Sequence, residues 1–445
     1  MRVIYQIGRL DSQMKSFTFI YNDKEYKDKQ LSSFALKEHF GNSAKLILIY
    51  PVSLPFNRTL IDNKSSLDDN FKQRIKDIWK NNEEYLNNPK EFFKLHPHFN
   101  LADDFIIIHS IGEYEGVKFV SSYNDIVLGI LFDMIDRYME NRFNELYIDI
   151  SSGLNIYISA LLEAARHLYV FTKLQSWNGN EVEIYKVFSE PIIGSSASEF
   201  RTFKEEMKFK TFFSSPIKKE DIDNYSLARR IIKIIEKNNE FKTKLQNCLE
   251  NFALHFSALK NATPLVNYEF EKDKEEDIKD LIKKIVISGR EKLNNNWKKS
   301  PSLPKDDFLK VLLSLSFYIG ILKILNVIKL PNNGVDIKEI KKRFGSKKSS
   351  IYKKFAHHLN IIFVGNEISN LENHIKNYKK NFNREWIPLN EIVPRTHSQS
   401  DQRHFFAHAG FESVLVEINK CVDKIYVRYK EDVKEKIKRY LINAL

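Results

Sequence analysis

Leu146-Tyr147-Ile148-Asp149-Ile150 runs directly into Ser151-Ser152-Gly153-Leu154-Asn155, and the reading of this stretch decides the fold. Its first half is a nearly apolar, β-favouring run with no polar face, as expected of a strand covered on both sides. Two hydroxyls and a glycine follow. From Leu154 to Phe171 the apolar residues then recur at helical spacing. Buried strand, short turn and amphipathic helix form the unit from which doubly covered α/β sheets are built.

The same alternation extends outward. Val3 to Ile7 is a strand ended by Gly8, Lys45 to Tyr50 one ended by Pro51, and Phe105 to Ser110 one ending near Gly112. Glu181 to Phe188 reads as a later strand, and Leu60 to Asn87 and Asp125 to Glu140 are helical in character. These elements predict a Rossmann-like domain with a mostly parallel sheet. Ligands of such sheets sit outside the carboxyl ends of the strands. The segments there are Gly8-Arg9, Pro51-Val52-Ser53, Ser110-Ile111-Gly112 and Ser151 to Asn155. The last is the richest, because free N–H groups at a helix start favour a phosphate. Ser-Ser-Gly is equally a good helix start with no ligand. GxGxxG is missing after the first strand, which argues against NAD or FAD.

From about Ser214 the pattern changes to long charged helices: Leu227 to Asn239, Lys242 to Leu259, Glu275 to Trp297, then the apolar Leu309 to Leu330. Pro301, Pro304 and Pro331 mark breaks between them. Between Gly334 and Asn360 a shorter pattern predicts a helix at Ile337 to Phe344, a turn at Gly345-Ser346 and a second helix at Ser349 to Leu359. Ile361-Ile362-Phe363-Val364 then reads as a wing. Such a lysine-rich helix-turn-helix either reads DNA or is a structural helix pair. A tail helix is expected over Lys420 to Leu445, with Val422, Ile425, Tyr426 and Ile437 sealing a dimer or simply packing.

Arg403-His404-Phe405-Phe406-Ala407-His408 holds the strongest candidate chemistry. A His can deprotonate a ribose 2′-hydroxyl while an Arg steadies charge on the phosphorus oxygens, which suffices for metal-free RNA cleavage. Arg-x4-His also arises by chance in helical proteins. On a regular helix the two side chains would stand roughly 140° apart, a gap that two facing copies would relax. His404 and His408 have the spacing of a two-histidine metal site, but Phe405 stands where a zinc hydrolase has its Glu and no third ligand follows nearby. GxxxxGK[ST], HExxH, GxSxG and cysteine clusters are all missing.

A chain of 445 residues, 42% hydrophobic and 13% aromatic, is globular and needs two or three domains. Its formal charge of +12 favours a polyanionic partner, or else a lysine-rich solvated surface. Cys248 and Cys421 stand in unrelated contexts, which suggests a reducing compartment. Met1-Arg2-Val3-Ile4-Tyr5 reads as a strand and lacks a signal peptide's apolar core. Val311 to Leu330 is strongly apolar, but Lys323, Asn326 and Lys329 interrupt it, so a buried helix is expected rather than a membrane span. The expected location is cytoplasmic.

With these parts in order, the chain resembles the CRISPR-associated ancillary ribonucleases of type III systems, which join an amino-terminal CARF sensor to a carboxy-terminal helical HEPN domain. Tyr147 to Asn155 is similar to the family's aspartate–threonine/serine–x–glycine–x–asparagine signature, and Arg403 to His408, continuing Ala409-Gly410, to the HEPN arginine-x4-histidine motif. The fold so implied is α/β plus all-α: a CARF sheet over 1–200, a linker and first HEPN helices over 201–332, a helix-turn-helix-like insertion over 333–392 and catalytic helices over 393–445. The resemblance implies a homodimeric endoribonuclease for single-stranded RNA. A cyclic oligoadenylate, favoured as the tetra-adenylate, would activate it across the two-fold axis, with no metal or other catalytic cofactor. Gly8, Arg9, Ser53, Ser110, Gly112, Ser151, Ser152, Gly153 and Asn155 would meet the ligand, and Arg403 and His408 the RNA. The products would carry 2′,3′-cyclic phosphate and 5′-hydroxyl ends. Two departures stand out: His404 replaces a polar residue, often asparagine, and Ser152 stands where a histidine is frequent, which bears on whether the sensor opens its own ligand. The rival readings are a nucleotide-responsive DNA-binding regulator, a non-catalytic HEPN scaffold, and a charged structural protein.

Overall fold

The computed structural model describes every residue except 178–181, 193–194, 236–237, 332, 379–381, 383–384, 394–400 and 422–423. An eight-stranded sheet contains β1 (Arg2–Ile7), β2 (Phe17–Tyr21), β3 (Lys24–Lys29), β4 (Ala44–Pro51) and β5 (Asp104–Ile108). After a separate hairpin of β6 (Gly112–Tyr114) and β7 (Val117–Phe119), it is completed by β8 (Glu145–Asp149), β9 (Glu183–Ser189) and β10 (Glu199–Glu206). The order is β3-β2-β10-β9-β8-β1-β4-β5. From β5 to β9 all neighbours run parallel, so the carboxyl ends of β1, β4, β5 and β8 lie along one edge. Glu181, expected to open β9, lies outside the described residues.

Period-two alternation on the central strands divides the core. Val3, Tyr5, Ile7, Ile47, Ile49 and Ile148 pack towards helices Tyr123–Asn141 and Asn155–Gln175. Ile4, Leu46, Leu48 and Tyr50 point to the other face, under helices Ser32–Phe40 and Asp69–Lys80. Each fully buried aliphatic side chain contributes about 1.5–3 kcal/mol.

The first of these faces is shared with the helical half. Helices Glu275–Asn294 and Lys305–Leu325 pack on Tyr123–Asn141 and Asn155–Gln175. Contact is at backbone level: a Cβ on Gly320 would lie 2.0 Å from the Leu174 carbonyl oxygen. Helix Lys305–Leu325 is long and apolar enough to cross a membrane, and most of it is buried inside the protein. The loop joining the two helices is clasped by the amino-terminal domain. The buried Asp125 carboxylate accepts from the N–H groups of Ser302 (2.8 Å) and Leu303 (2.7 Å), and the Ser122 N–H donates to Ser300 Oγ (2.9 Å). His109 Nε2 meets the Leu293 carbonyl at 2.7 Å.

The carboxy-terminal part departs from expectation in three places. Ile361 to Val364 is not a wing but lies inside helix His358–Asn377, because Ile361, Val364, Ile368, Leu371 and Ile375 continue one buried stripe. Before it, the second helix expected over Ser349 to Leu359 is a 3-10 turn, Ile351–Phe355, stopped by Ala356 in a left-handed conformation (φ 59°). The tail is not one helix from Lys420 either. A hairpin, β13 (Val416–Cys421) and β14 (Lys424–Tyr429), precedes helix Lys434–Asn443. With β11 (Val335–Asp336) and β12 (Ile387–Pro388) it forms a four-stranded sheet in the order β11-β14-β13-β12, added to an otherwise helical half. Val416, Ile418, Val427 and Tyr429 alternate at period two, which suits a half-buried hairpin.

Candidate ligand and catalytic sites

The parallel strands bring four of the expected segments to one edge. Gly8 follows β1, its N–H bonded to the Ile49 carbonyl (2.8 Å). A Cβ there would lie 2.3 Å from Tyr50 Cε1, so only glycine admits this approach. Arg9 is held by Asp11 Oδ2 at 3.2 Å, and its carbonyl meets His96 Nε2 at 3.0 Å. Ser53 and Ser110 are both buried and joined, the Ser53 N–H donating to Ser110 Oγ (2.9 Å). Gly112 lies further out, exposed at the start of the β6–β7 hairpin with φ 119°.

The Ser151 to Gly153 turn is fastened from within. The Ser151 N–H donates to Asp149 Oδ1 (2.9 Å), and Ser151 Oγ accepts from the Ser189 N–H (3.0 Å). Ser152 is buried, Gly153 is exposed with φ 78°, and Asn155 is exposed at the first position of helix Asn155–Gln175. Asp149 carries a network that reading the sequence missed. Ser32 Oγ donates to Asp149 Oδ2 (2.6 Å), Gln6 Nε2 donates to Ser32 Oγ (3.2 Å), and Ser33 Oγ donates back to Gln6 Oε1. Burial pushes the Asp149 carboxyl up, opposed by its bonds from Ser32 and Ser151. The network ties the start of helix Ser32–Phe40 to β1 and β8. Its one sequence signal was Gln6, a polar residue in an apolar strand that needs a buried partner.

Arg403 to Ala407 lie in the short helix Gln402–Ala407, and His408 is the residue that ends it. Asp401 caps it, accepting from the His404 N–H (2.8 Å), and lies 3.3 Å from His404 Nδ1. That N–H, first among several causes, holds the Asp401 carboxyl below its usual range. The helix ends in a Schellman motif: the Gly410 N–H bonds to the Phe405 carbonyl (2.9 Å) and that of Ala409 to Phe406 (3.2 Å), with φ 51° at Ala409 and 80° at Gly410. Phe405 is the buried anchor, against Tyr429 and Tyr440. Arg403 is exposed, and so is His408, which sits just past the last helical residue. The 140° separation of an extended helix therefore does not govern the pair.

Glu367 on helix His358–Asn377 is the residue that reading the sequence missed here. Its Oε2 lies 3.3 Å from His408 Nδ1, and this pairing is the main cause that raises the His408 imidazole. In the neutral tautomer whose Nδ1–H donates to Glu367, Nε2 is the unprotonated nitrogen that a general base requires. No sequence spacing could have signalled it, since the contact joins two separate helices. Among the described residues no group of three or more His, Cys, Asp or Glu side chains is placed to hold a metal ion.

Comparison with known families bears on both ends of the chain. A model described as CRISPR system endoribonuclease Csx1, CARF domain, matches residues 2–191, and one described as CRISPR system endoribonuclease Csx1, HEPN domain, matches residues 357–431. No curated protein matches the chain.

Proposed function

Because the chain belongs to the CRISPR endoribonuclease family that joins a CARF domain to a HEPN domain, we propose that it is a cyclic-oligoadenylate-activated, metal-independent endoribonuclease for single-stranded RNA. CARF domains in general bind ligands of the cyclic oligoadenylate type. Tetra-adenylate is the proposed ring size and a homodimer the proposed assembly. The phosphates would meet Gly8-Arg9 and the Ser151 to Gly153 turn. Ser53, Ser110, Gly112 and Asn155 would lie against sugars and bases.

The observation that carries the chemical proposal is the Glu367–His408 pair at the end of the short helix that bears the exposed Arg403. His408 Nε2 takes the proton of a ribose 2′-hydroxyl, and the 2′-oxygen attacks phosphorus. The 5′-oxygen leaves and collects a proton, with His404 as an auxiliary donor. Arg403 holds the charge on the non-bridging oxygens. The products carry 2′,3′-cyclic phosphate and 5′-hydroxyl ends. Glu367 positions His408 and does not itself touch the RNA.

Gating has a physical route. Helix Asn155–Gln175 begins at the ligand turn and ends against Lys305–Leu325, and the Asp125 clasp ties the sensor to the loop before that helix. Coupling of this kind is typically about 1–3 kcal/mol. The test is cleavage in EDTA with mass analysis of the new ends. Cyclic phosphate termini, lost in Arg403→Ala and His408→Ala, are expected. Full activity in either folded variant, or 3′-hydroxyl ends, would overturn the assignment.

A further inference from the structure

The segment from Lys338 to Lys354 carries eight basic side chains against one acid, Glu339. More than half of the chain's net charge of +12 is thus concentrated in a small fraction of its length. Two of the cations are already paired: Arg343 with Glu339 (2.8 Å) and Lys341 with Glu372 (2.7 Å). Lys338, Lys342, Lys347, Lys348, Lys353 and Lys354 are all exposed, and among the described residues no carboxylate lies within ion-pairing distance of them. Lys72, Lys94 and Lys438 each pair with an acid one turn away, and single lysines without an ion pair, such as Lys76 and Lys90, also occur among the described residues, but here six stand within seventeen residues.

The lysines stand on a fixed platform. Ile337, Ile340, Phe344, Ile351, Tyr352 and Phe355 are buried beneath them. Ser349 Oγ donates to the Lys342 carbonyl (2.7 Å) and Ser350 Oγ to that of Phe344 (2.8 Å), closing the turn. Gly345 and Gly365 touch backbone to backbone, a Cβ on either lying 3.0 Å from the other residue, which seats the platform on helix His358–Asn377.

That same helix bears Glu367, the partner of His408, on the other flank of its buried stripe. The exposed ridge between the two flanks presents Ile362, Asn366, Asn370 and Asn373. It places no carboxylate in the path of a polyanion, and its amides can donate hydrogen bonds.

We propose that this lysine face is the docking track for the flank of the single-stranded RNA substrate, gripping phosphates outside the cleft and leading the chain over the asparagine ridge to His408. The inference takes single-stranded RNA as substrate, as proposed above. Duplex DNA fits the surface less well. A five-residue 3-10 turn stands where a recognition helix would enter the major groove, and Ile361 to Val364 is helical, so no wing follows it. The grip is electrostatic and sequence-tolerant.

The test is equilibrium binding of a fluorescent, fully 2′-O-methylated single-stranded RNA to the full chain, by anisotropy across a salt series, so it does not depend on cleavage or on any activator. The variant carries Lys347→Ala, Lys348→Ala, Lys353→Ala and Lys354→Ala, and its folding is checked by circular dichroism. A control carries Lys27→Ala, Lys72→Ala, Lys76→Ala and Lys94→Ala on the sensor. Single-strand contacts contribute about 0.7 each to the slope of log affinity against log salt. The expected result is a slope reduced by roughly 2–3 and affinity at least about tenfold lower at 0.15 M salt, with the control unchanged. Unchanged slope and affinity, an equal loss in the control, or no binding by the parent chain would overturn the proposal. So would tighter, lysine-dependent binding of duplex DNA. A chain that binds RNA in this way but does not cleave it would leave the track standing and count against the catalytic assignment alone.

Discussion

Asp125→Ala should loosen the joint between sensor and nuclease by an amount the structure allows us to work out. The carboxylate is buried and accepts from two backbone N–H groups of the loop between helices Glu275–Asn294 and Lys305–Leu325. Leu303 is buried, so orphaning its N–H costs about 1–3 kcal/mol. Ser302 is exposed and its N–H can turn to water, which costs less. Asp125 also sits in the first turn of helix Tyr123–Asn141, where a negative charge contributes about 0.3–1 kcal/mol. The total is about 2–4 kcal/mol, and Asp125→Asn, keeping one acceptor oxygen, should lose about half of that. Amide hydrogen exchange across residues 298–304 reads the effect directly. Protection should fall by roughly thirtyfold to a thousandfold in the Ala variant and by the square root of that factor in the Asn variant. Activator-dependent stimulation of RNA cleavage should weaken in the same order. Unchanged exchange in the Ala variant would refute the clasp as a joint. Full loss of protection with undiminished stimulation would refute it as the route of coupling.

Gly410→Ala places a Cβ 2.8 Å from Tyr429 Oη and 3.1 Å from Thr263 Cβ at φ 80°, so a loss of roughly 2–4 kcal/mol in urea unfolding is expected. Glu367→Gln should lower the pKa of His408 and move the acid limb of the pH–rate profile to lower pH; a limb that stays in place would separate Glu367 from the base. The charged pair itself contributes stability below the unfolded pKa of histidine and loses it as pH rises through the raised His408 value. Being half exposed, it is worth less than about 1 kcal/mol. Burial holds His96 at about 4 and His98 at about 3, so in the folded sensor both stay neutral where the unfolded chain would take up protons. Stability should therefore fall as pH drops from about 6.5 towards 4, by a few kcal/mol, and an acid titration of thermal melting that is flat in this window would contradict the placement.

How much of this was legible in the sequence followed from burial. β1, β4, β5, β8 and β9 belong to the parallel run, and their apolar stretches stand out from the chain around them. β3 and β10 lie towards or at the far end of the sheet and carry charges at most positions, as in Glu199 to Glu206, so no apolar run marks them. The β13–β14 hairpin was hidden the same way, by Lys420, Lys424 and Arg428 among its apolar positions. The candidate ligand turns could be collected from sequence because parallel strands must deliver their carboxyl ends to one edge. The Gln6–Ser32–Asp149 network could not, since it depends on β1 lying beside β8 and on where helix Ser32–Phe40 starts. The partner of His408 was likewise a matter of packing between helices.

The central claim is that one nucleotide ligand switches on metal-free RNA cleavage at Arg403 and His408. Its most direct test is cleavage of a labelled single-stranded RNA in EDTA, with and without cyclic tetra-adenylate, beside the His408→Ala chain. The account predicts cutting that requires the activator and disappears in the variant. Cutting that is indifferent to every ring size, or that survives His408→Ala, would contradict it.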